Sequence, residues 1–299
     1  MSEYFLHLLC LLGIYAVAAM SLNLVIGGAG LISLAHAAFL GIGAYAYAVS
    51  SIHGLGFLPA MLAGVLLAML VSLALAIPAW RFRGDFFVLI SLAVQALVFS
   101  ALYNWHSAAH PVGTWQNLTN GPYGMAGIGR PDIFGIKFDS VGSLAALSLS
   151  LSVICGVICA LLLKSPWWRM VTAIRDDEVA ARSIGKNVRM AKVQLFAIAS
   201  GMVAAAGAVY GSYFTYISPG MASLDEGILL LAMVLVGGSG NFRGPLVGAA
   251  ILLLIPEVLR FMAVPSNAAA NVRLLMYGLL LVVFMHFRGR GIAGDYRVE

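Results

Sequence analysis

The chain has 299 residues, of which 62% are apolar and only 10% are charged. An ordinary soluble domain carries roughly 25% charged residues, so this composition excludes a soluble enzyme, a nucleic-acid-binding domain, a disulfide scaffold and a disordered chain. A helix that crosses ~30 Å of hydrocarbon needs about 20 apolar residues, and the apolar content therefore predicts about nine spans. We attribute the net charge of +5 to basic residues on the cytoplasmic side of a membrane.

The apolar stretches predict an all-α polytopic membrane protein with about 8–10 transmembrane helices. Helices satisfy their own backbone polar groups in lipid, and these runs are too long and too uniformly apolar for barrel strands. We take residues 1–299 as a single transmembrane domain. The first run is expected to be retained, because no basic leader or cleavage site marks it as a signal peptide. The predicted spans are 4–26, 31–51, 57–79, 86–104, 141–163, 193–217, 227–236 together with 244–260, and 272–287.

The distribution of Lys and Arg predicts the orientation of these spans. The 164–192 segment holds seven basic residues, whereas the longer 105–140 loop holds only two. The positive-inside rule therefore places 164–192, 80–85 and the C-terminal tail in the cytoplasm and 105–140 outside. These assignments agree with one another if the N-terminus is external and each of the last three apolar stretches crosses once.

Two similar glycine-rich sequences predict breaks within the helices. Gly27-Gly28-Ala29-Gly30 and Gly237-Gly238-Ser239-Gly240 each interrupt apolar sequence that resumes at once. Breaks at matching places in two halves of a transporter point to its transport path. The alternative is chance, because glycine supplies 33 of the 299 residues. The candidate residues for the breaks and the pathway are Gly27, Gly28, Gly30, Gly237, Gly238 and Gly240.

Polar residues inside the apolar stretches are further candidates for the pathway, because they are costly in lipid. Asn23 lies just before the first glycine sequence, and we favour a structural role in which its side chain satisfies freed backbone groups. His36 lies six residues after that sequence, and it either lines the pathway or bonds a neighbouring helix. For Gln95, in the middle of a span, the alternative is an interhelical hydrogen bond. Ser33 completes this set.

The 164–192 segment is basic, but it does not read as a plain polar linker. Apolar residues recur in it at helical spacing, the acids at 176–178 favour the start of a helix, and Gly185 favours its end. We therefore predict a short amphipathic helix at about 177–184, along the cytoplasmic face. Such a helix suits the docking of a soluble partner, and the alternative is a helix that only lies on the membrane surface.

The chain carries no sequence signature of an energy source of its own. It contains no G-x-x-x-x-G-K-[ST] sequence that would hold nucleotide phosphates, and we expect it to bind no metal or other cofactor. In the second half of the chain, only Glu257 lies clearly inside an apolar stretch. This scarcity of acids argues against a proton-driven carrier and favours an energy source on other subunits.

The 164–192 segment resembles the cytoplasmic coupling loop of ABC importer permeases, which combines an acid, paired alanines and a downstream glycine. Here Val179 stands between Glu178 and the alanines at 180 and 181, a variant typical of LivM-type branched-chain amino acid permeases. In 119–125, which is similar to the T-G-G-x-x-G-[LI] stretch of that family, Asn120 replaces the first glycine. Other stretches similar to the family are Leu22–Gly27, Ala29–Phe39, Gly41–Tyr45, Val236–Gly240, Gly244-Pro245 and Gly248-Ala249.

The resemblance implies an ABC importer permease architecture and a non-catalytic subunit that forms half of a translocation pathway for leucine, isoleucine and valine in the bacterial inner membrane. It implies a second, LivH-like permease subunit, two ATP-binding subunits that use ATP and Mg²⁺, and an external or periplasmic substrate-binding protein. A permease for urea, short amides or another amino acid remains an alternative, as does a stand-alone secondary carrier. The implied coupling residues are Ala173, Arg175, Asp177, Glu178, Ala180, Ala181 and Gly185.

Overall fold

The computed structural model describes residues 2–82, 84–133, 135–241, 243–261, 272, 275–283 and 291–293. The first five helices are α1 Ser2–Ala29, α2 His36–Ile52, α3 Phe57–Ala76, α4 Asp85–Asn104 and α5 Val141–Lys164. They are followed by α6 Pro166–Asp176, α7 Glu178–Ser183, α8 Val188–Phe214, α9 Leu224–Gly237 and α10 Arg243–Phe261. Residues 275–283 are also helical. Three short 3-10 turns lie at Pro78–Trp80, Gly121–Tyr123 and Pro219–Ala222.

The all-α prediction is confirmed, and most predicted spans match a helix to within a few residues. Five described helices, α1, α3, α4, α5 and α8, are long and apolar enough to cross a membrane. The stretch predicted in two parts forms α9 and α10. The span predicted from residue 193 instead begins at Val188, which brings Lys192 into a helix. Of the last predicted span, 272–287, only 272 and 275–283 lie within the described residues, and they are helical.

α1 and α8 form the centre of the bundle. The most apolar windows of these two helices are 83% and 72% buried, against 28%, 22% and 17% for α3, α4 and α5. α8 packs against α2, α3 and α1, and α5 packs against α1. The outer helices α3, α4 and α5 expose large aliphatic side chains, which suits a surface in contact with lipid.

Glycines allow α2 and α8 to pack backbone against backbone. A Cβ atom added at Gly43 would lie 2.0 Å from the carbonyl oxygen of Ala204, and one at Gly207 would lie 2.1 Å from that of Leu40. Small residues at such positions permit the close helix approach that is common in membrane bundles. The contact therefore depends on the absence of side chains at these two glycines.

The two ends of the bundle differ in structure. We call the end that carries residues 164–187 the basic end, and the end that carries residues 105–140 the loop end. At the loop end, β1 Met125–Ala126 pairs with β4 Tyr216–Ile217, and β2 Asp132–Ile133 pairs with β3 Ile136–Lys137, both antiparallel. The Tyr47 hydroxyl donates to the Gly129 carbonyl oxygen at 2.6 Å, so the loop is fastened to α2.

We expect Gly43→Ala to lower the free energy of unfolding by about 1–3 kcal/mol or more, because the new methyl group overpacks the contact between α2 and α8. Thermal denaturation of the purified protein in detergent measures the change. Gly156→Ala is the matched control, because a Cβ there would lie at an ordinary 3.8 Å from the Met20 sulfur. Equal melting temperatures for the two variants would contradict the close-packing interpretation.

Candidate coupling and helix-break site at the basic end

The first helix break begins at Gly30, the last residue of the predicted 27–30 sequence. Gly27 and Gly28 were expected to interrupt the span, but α1 continues through both to Ala29. The chain leaves the helix at Gly30, whose φ of +66° is the left-handed conformation that often follows a helix end. Residues 31–35 are not helical, and α2 begins at His36. The break predicted at 27–30 is therefore corrected to 30–35, with Gly30 common to both.

The second break lies where the sequence predicts it. α9 ends at Gly237, and Gly238 and Gly240 follow with φ of +103° and +100°. Only glycine adopts such angles without strain. The chain then reverses, and α10 begins at Arg243.

Asn23 joins the end of α1 to this second break. Its amide nitrogen donates to the carbonyl oxygen of Asn241 at 2.7 Å, and its amide oxygen accepts from the backbone nitrogen of Gly240 at 3.1 Å. A Cβ atom added at Gly27 would lie only 3.0 Å from that same nitrogen. The two glycine-rich sequences, far apart in the chain, therefore meet at one junction at the basic end.

α6 is fastened to the same junction. Arg175 donates to the carbonyl oxygen of Gly27 at 2.6 Å, where a cation also complements the negative end of the helix dipole. The ring of Trp168 covers Gly28, because a Cβ atom there would lie 2.9 Å from it. α6 was not predicted as a separate helix. Its start is nevertheless marked in the sequence, because Ser165 caps it and Pro166 is its first residue.

α7 closely matches the helix predicted at about 177–184. Asp177 caps it, with its carboxylate accepting from the backbone nitrogens of Val179 at 2.9 Å and Ala180 at 3.0 Å. Gly185 follows its end with a φ of +81°. Both ends of α7 are thus fixed by their own sequence.

The predicted coupling residues divide between two surfaces. Ala173, Asp177, Ala180 and Gly185 are exposed, whereas Arg175 is half-buried and Glu178 and Ala181 are buried. Two apolar side chains that were not among the predicted residues, Val179 and Ile184, are each 74% exposed. α7 therefore presents a partly apolar face away from the bundle and a second face towards it.

Glu178 is buried because it forms an ion pair with Lys192 of α8. Its Oε2 atom lies 2.9 Å from Lys192 Nζ, which also donates to the carbonyl oxygen of Ala79 at 2.6 Å. The side chain of Arg182 pairs with the other carboxylate oxygen. Lys192 was not among the predicted site residues, because α8 was predicted to begin at residue 193 and Lys192 then counted as one more basic loop residue.

Two irregular segments enter the bundle beside α4, and polar side chains of α4 bond to both. Ser91 Oγ accepts from the backbone nitrogen of Leu34 at 3.1 Å, and Gln95 Nε2 donates to the carbonyl oxygen of Ala222 at 2.6 Å. Ser91 and Gln95 lie about 9 Å and 15 Å along α4 from its first residue. The Gln95 amide is therefore directed at the 219–222 turn.

Ser33 and His36 lie deep in the bundle, each 1% exposed. Among the residues that the structure describes, neither the Ser33 hydroxyl nor the two His36 ring nitrogens have a hydrogen-bond partner. The His36 ring packs edge-on against Phe39 with 6.0 Å between ring centroids. The described part of the chain contains no group of three His, Cys, Asp or Glu side chains that could hold a metal ion.

Long apolar helices with two irregular segments between them are the architecture of a polytopic membrane protein. The sequence matches the family described as "Branched-chain amino acid transport system / permease component" over residues 4–285, and the chain belongs to this family. The membership agrees with the resemblance seen in the sequence motifs.

Three individual permease proteins are similar to this chain. The permease protein LivM of the high-affinity branched-chain amino acid transport system of Escherichia coli K12 is 28% identical, over 93% of this chain and 67% of the relative. The probable LivM of Methanocaldococcus jannaschii is 22% identical, over 94% of this chain and 90% of the relative. LsrC, the permease protein of the autoinducer 2 import system of Salmonella typhimurium, is 28% identical over 67% of this chain and 56% of the relative. These relatives support an ABC transporter permease.

We expect Asn23→Ala to lower the free energy of unfolding by about 1–3 kcal/mol, because it removes two hydrogen bonds to partly buried backbone groups at the junction. Thermal denaturation in detergent measures this loss. Asn104→Ala is the matched control, because Asn104 is exposed and its side chain bonds only Ser100 of its own helix. A melting temperature equal to that of the control would show that Asn23 does not hold the junction.

Proposed function

We propose that this chain is the permease subunit of an ATP-driven importer of leucine, isoleucine and valine, and that it forms half of the translocation pathway. The observation that carries the proposal is α7, a short helix capped at both ends that presents Val179 and Ile184 away from the bundle. Similarity to the LivM proteins over 93% and 94% of the chain supports the choice of substrate.

In this proposal the basic end faces the cytoplasm. The positive-inside rule places the seven basic residues of 164–192 there, with the N-terminus and the loop end outside. A LivH-like second permease completes the pathway in the membrane, and an external substrate-binding protein delivers the amino acid to the 105–140 loop. ATP and Mg²⁺ are bound by two separate subunits, and this chain itself catalyses no reaction.

The exposed face of α7 is the proposed contact with an ATP-binding subunit. Val179, Ala180 and Ile184 form a small apolar surface, and a short helix of this kind fits a groove on a soluble partner. Gly185 lies next to this surface, and no neighbouring atom of the described residues comes within 4 Å of the position a Cβ would take, so it leaves space for the partner. The surface is too small to bind tightly alone, so the partner must also contact other parts of the basic end.

The junction of the two breaks gives the movement of α6 and α7 a route to the spans. Arg175 and Trp168 of α6 touch the last turn of α1, and Asn23 connects that turn to the break between α9 and α10. Residues at the ends of helices can absorb changes of φ and ψ, because their backbone is not held in the hydrogen-bond ladder of a helix. We therefore place the alternation between outward-open and inward-open states at this junction.

A second substrate class follows from the LsrC relatives, which are permease proteins of autoinducer 2 import systems. Their similarity covers 67% of the chain, less than that of the LivM proteins. We therefore test leucine first, with autoinducer 2, urea and a short amide as competitors.

The function is tested with the permease pair, both ATP-binding subunits and the binding protein in liposomes. We expect uptake of radiolabelled leucine that requires ATP inside the vesicles and that isoleucine and valine inhibit by competition. Uptake that persists without ATP and collapses with an ion gradient would establish a secondary carrier instead. Competition by autoinducer 2, urea or the amide in place of isoleucine and valine would reassign the substrate.

We expect Val179→Asp and Ile184→Asp each to reduce co-purification of the ATP-binding subunit at least about tenfold, because each desolvates a carboxylate at the interface. Quantitative immunoblotting of the affinity-purified complex measures the loss. Leu55→Asp is the control, since Leu55 is 52% exposed in the turn between α2 and α3, at the loop end. Co-purification at the control level in both α7 variants would exclude this face as the docking surface.

A further inference from the structure

The buried face of α7 carries a charge that docking does not use. Glu178 is the first residue of α7, yet it is only 5% exposed, and its partner Lys192 is 4% exposed. The ammonium and carboxylate lie 2.9 Å apart. Charged groups are removed from water only when they are paired and hydrogen-bonded, so Glu178 is directed at its own bundle and not at an outside partner.

Lys192 connects three elements through a single ammonium group. It belongs to α8, it pairs with Glu178 of α7, and it donates to the Ala79 carbonyl oxygen at 2.6 Å. Ala79 lies in the 3-10 turn that follows α3, where carbonyl groups lack partners within the helix. α8 in turn packs against α1, α2 and α3. A displacement of Glu178 therefore also displaces α8, one of the two central helices, and the end of α3.

α7 has few other attachments to the bundle. Glu178 and Ala181 are its only buried residues, and Ala181 offers no more than a methyl group. An isolated helix of six residues is not stable in water, so its position depends on what holds it. Arg182 also pairs with Glu178, but it belongs to α7 itself and its side chain is 52% exposed. It balances charge without linking α7 to another element.

We propose that Lys192 is a positioning residue for energy coupling, which transmits the displacement of α7 to α8 and to the end of α3. This inference rests on the proposed docking of α7 to an ATP-binding subunit. It adds a second route to the one through Arg175 and α1. It also assigns a role to a residue that the coupling-loop motif does not contain.

The test removes both charges together by combining Glu178→Gln with Lys192→Met, so that no unpaired charge is left buried. The complete complex is reconstituted in liposomes, and ATP hydrolysis and leucine uptake are measured in the same vesicles. We expect the complex to assemble and uptake per ATP hydrolysed to fall by more than twofold and up to roughly thirtyfold, the range of effect for residues that carry coupling. A purely structural role would lower the amount of complex and leave this ratio unchanged.

Two further variants complete the test. Arg182→Gln removes a cation from the same carboxylate without cutting the link between α7 and α8, and we expect it to keep uptake per ATP close to that of the unaltered complex. Lys192→Arg retains a charged donor of similar reach, and we expect it to preserve most of the uptake per ATP hydrolysed. Glu178→Gln alone should lower uptake per ATP hydrolysed in part.

The outcomes separate this inference from the proposed function. A double variant whose uptake per ATP stays within about twofold of the unaltered complex would overturn the inference while ATP-driven import stands. An equal fall in Arg182→Gln would overturn it too, since charge balance and not the link would then matter. If the double variant does not assemble, Glu178→Gln decides, and an unchanged ratio there overturns the inference. An unaltered complex that lacks ATP-driven uptake would refute the proposed function itself, and the inference with it.

Discussion

The satisfaction of backbone groups inside an apolar bundle is the constraint on which this structure depends. Hydrocarbon offers no hydrogen bonds, so non-helical backbone at membrane depth survives only where protein groups pair with it. Each irregular segment here has such a partner on another element. Ser91 and Gln95, one turn apart on α4, bond to the segments at 30–35 and 219–222, and Asn23 bonds to the turn after α9. The same few polar side chains thus permit the breaks and fix their positions.

The constraint also explains why the short helices at the basic end are firmly connected to the spans. The last carbonyl groups of a helix need partners from outside it. Arg175 supplies one to α1, and Lys192 supplies one to the turn after α3. The groups that complete two spans therefore belong to, or are paired with, the elements that we propose to move. Helix termination and mechanical connection are provided by the same bonds.

Patterns that depend on neighbours in the chain were predictable from the sequence, and contacts between distant residues were not. Apolar runs gave the long helices, and Asp177 with Gly185 gave both ends of α7, because these signals are local. The first break was predicted to begin at Gly27, which is too early. Glycine is tolerated inside a helix, and the left-handed angle is needed only at Gly30. Lys192 was read as a loop residue, because its partners Glu178 and Ala79 come from other elements. The pairing of β1 with β4 joins residues about 90 positions apart, and no short-range pattern indicates it.

The caps of α7 have a consequence for how such a subunit could change during evolution. Asp177 and Gly185 define the helix, and Glu178 and Ala181 fasten it, so none of these functions falls on Val179 or Ile184. The outward residues are free to vary without loss of the helix itself. A permease lineage could therefore exchange one ATP-binding subunit for another by substitutions at two or three surface positions. Residues elsewhere in the bundle would not have to change with it.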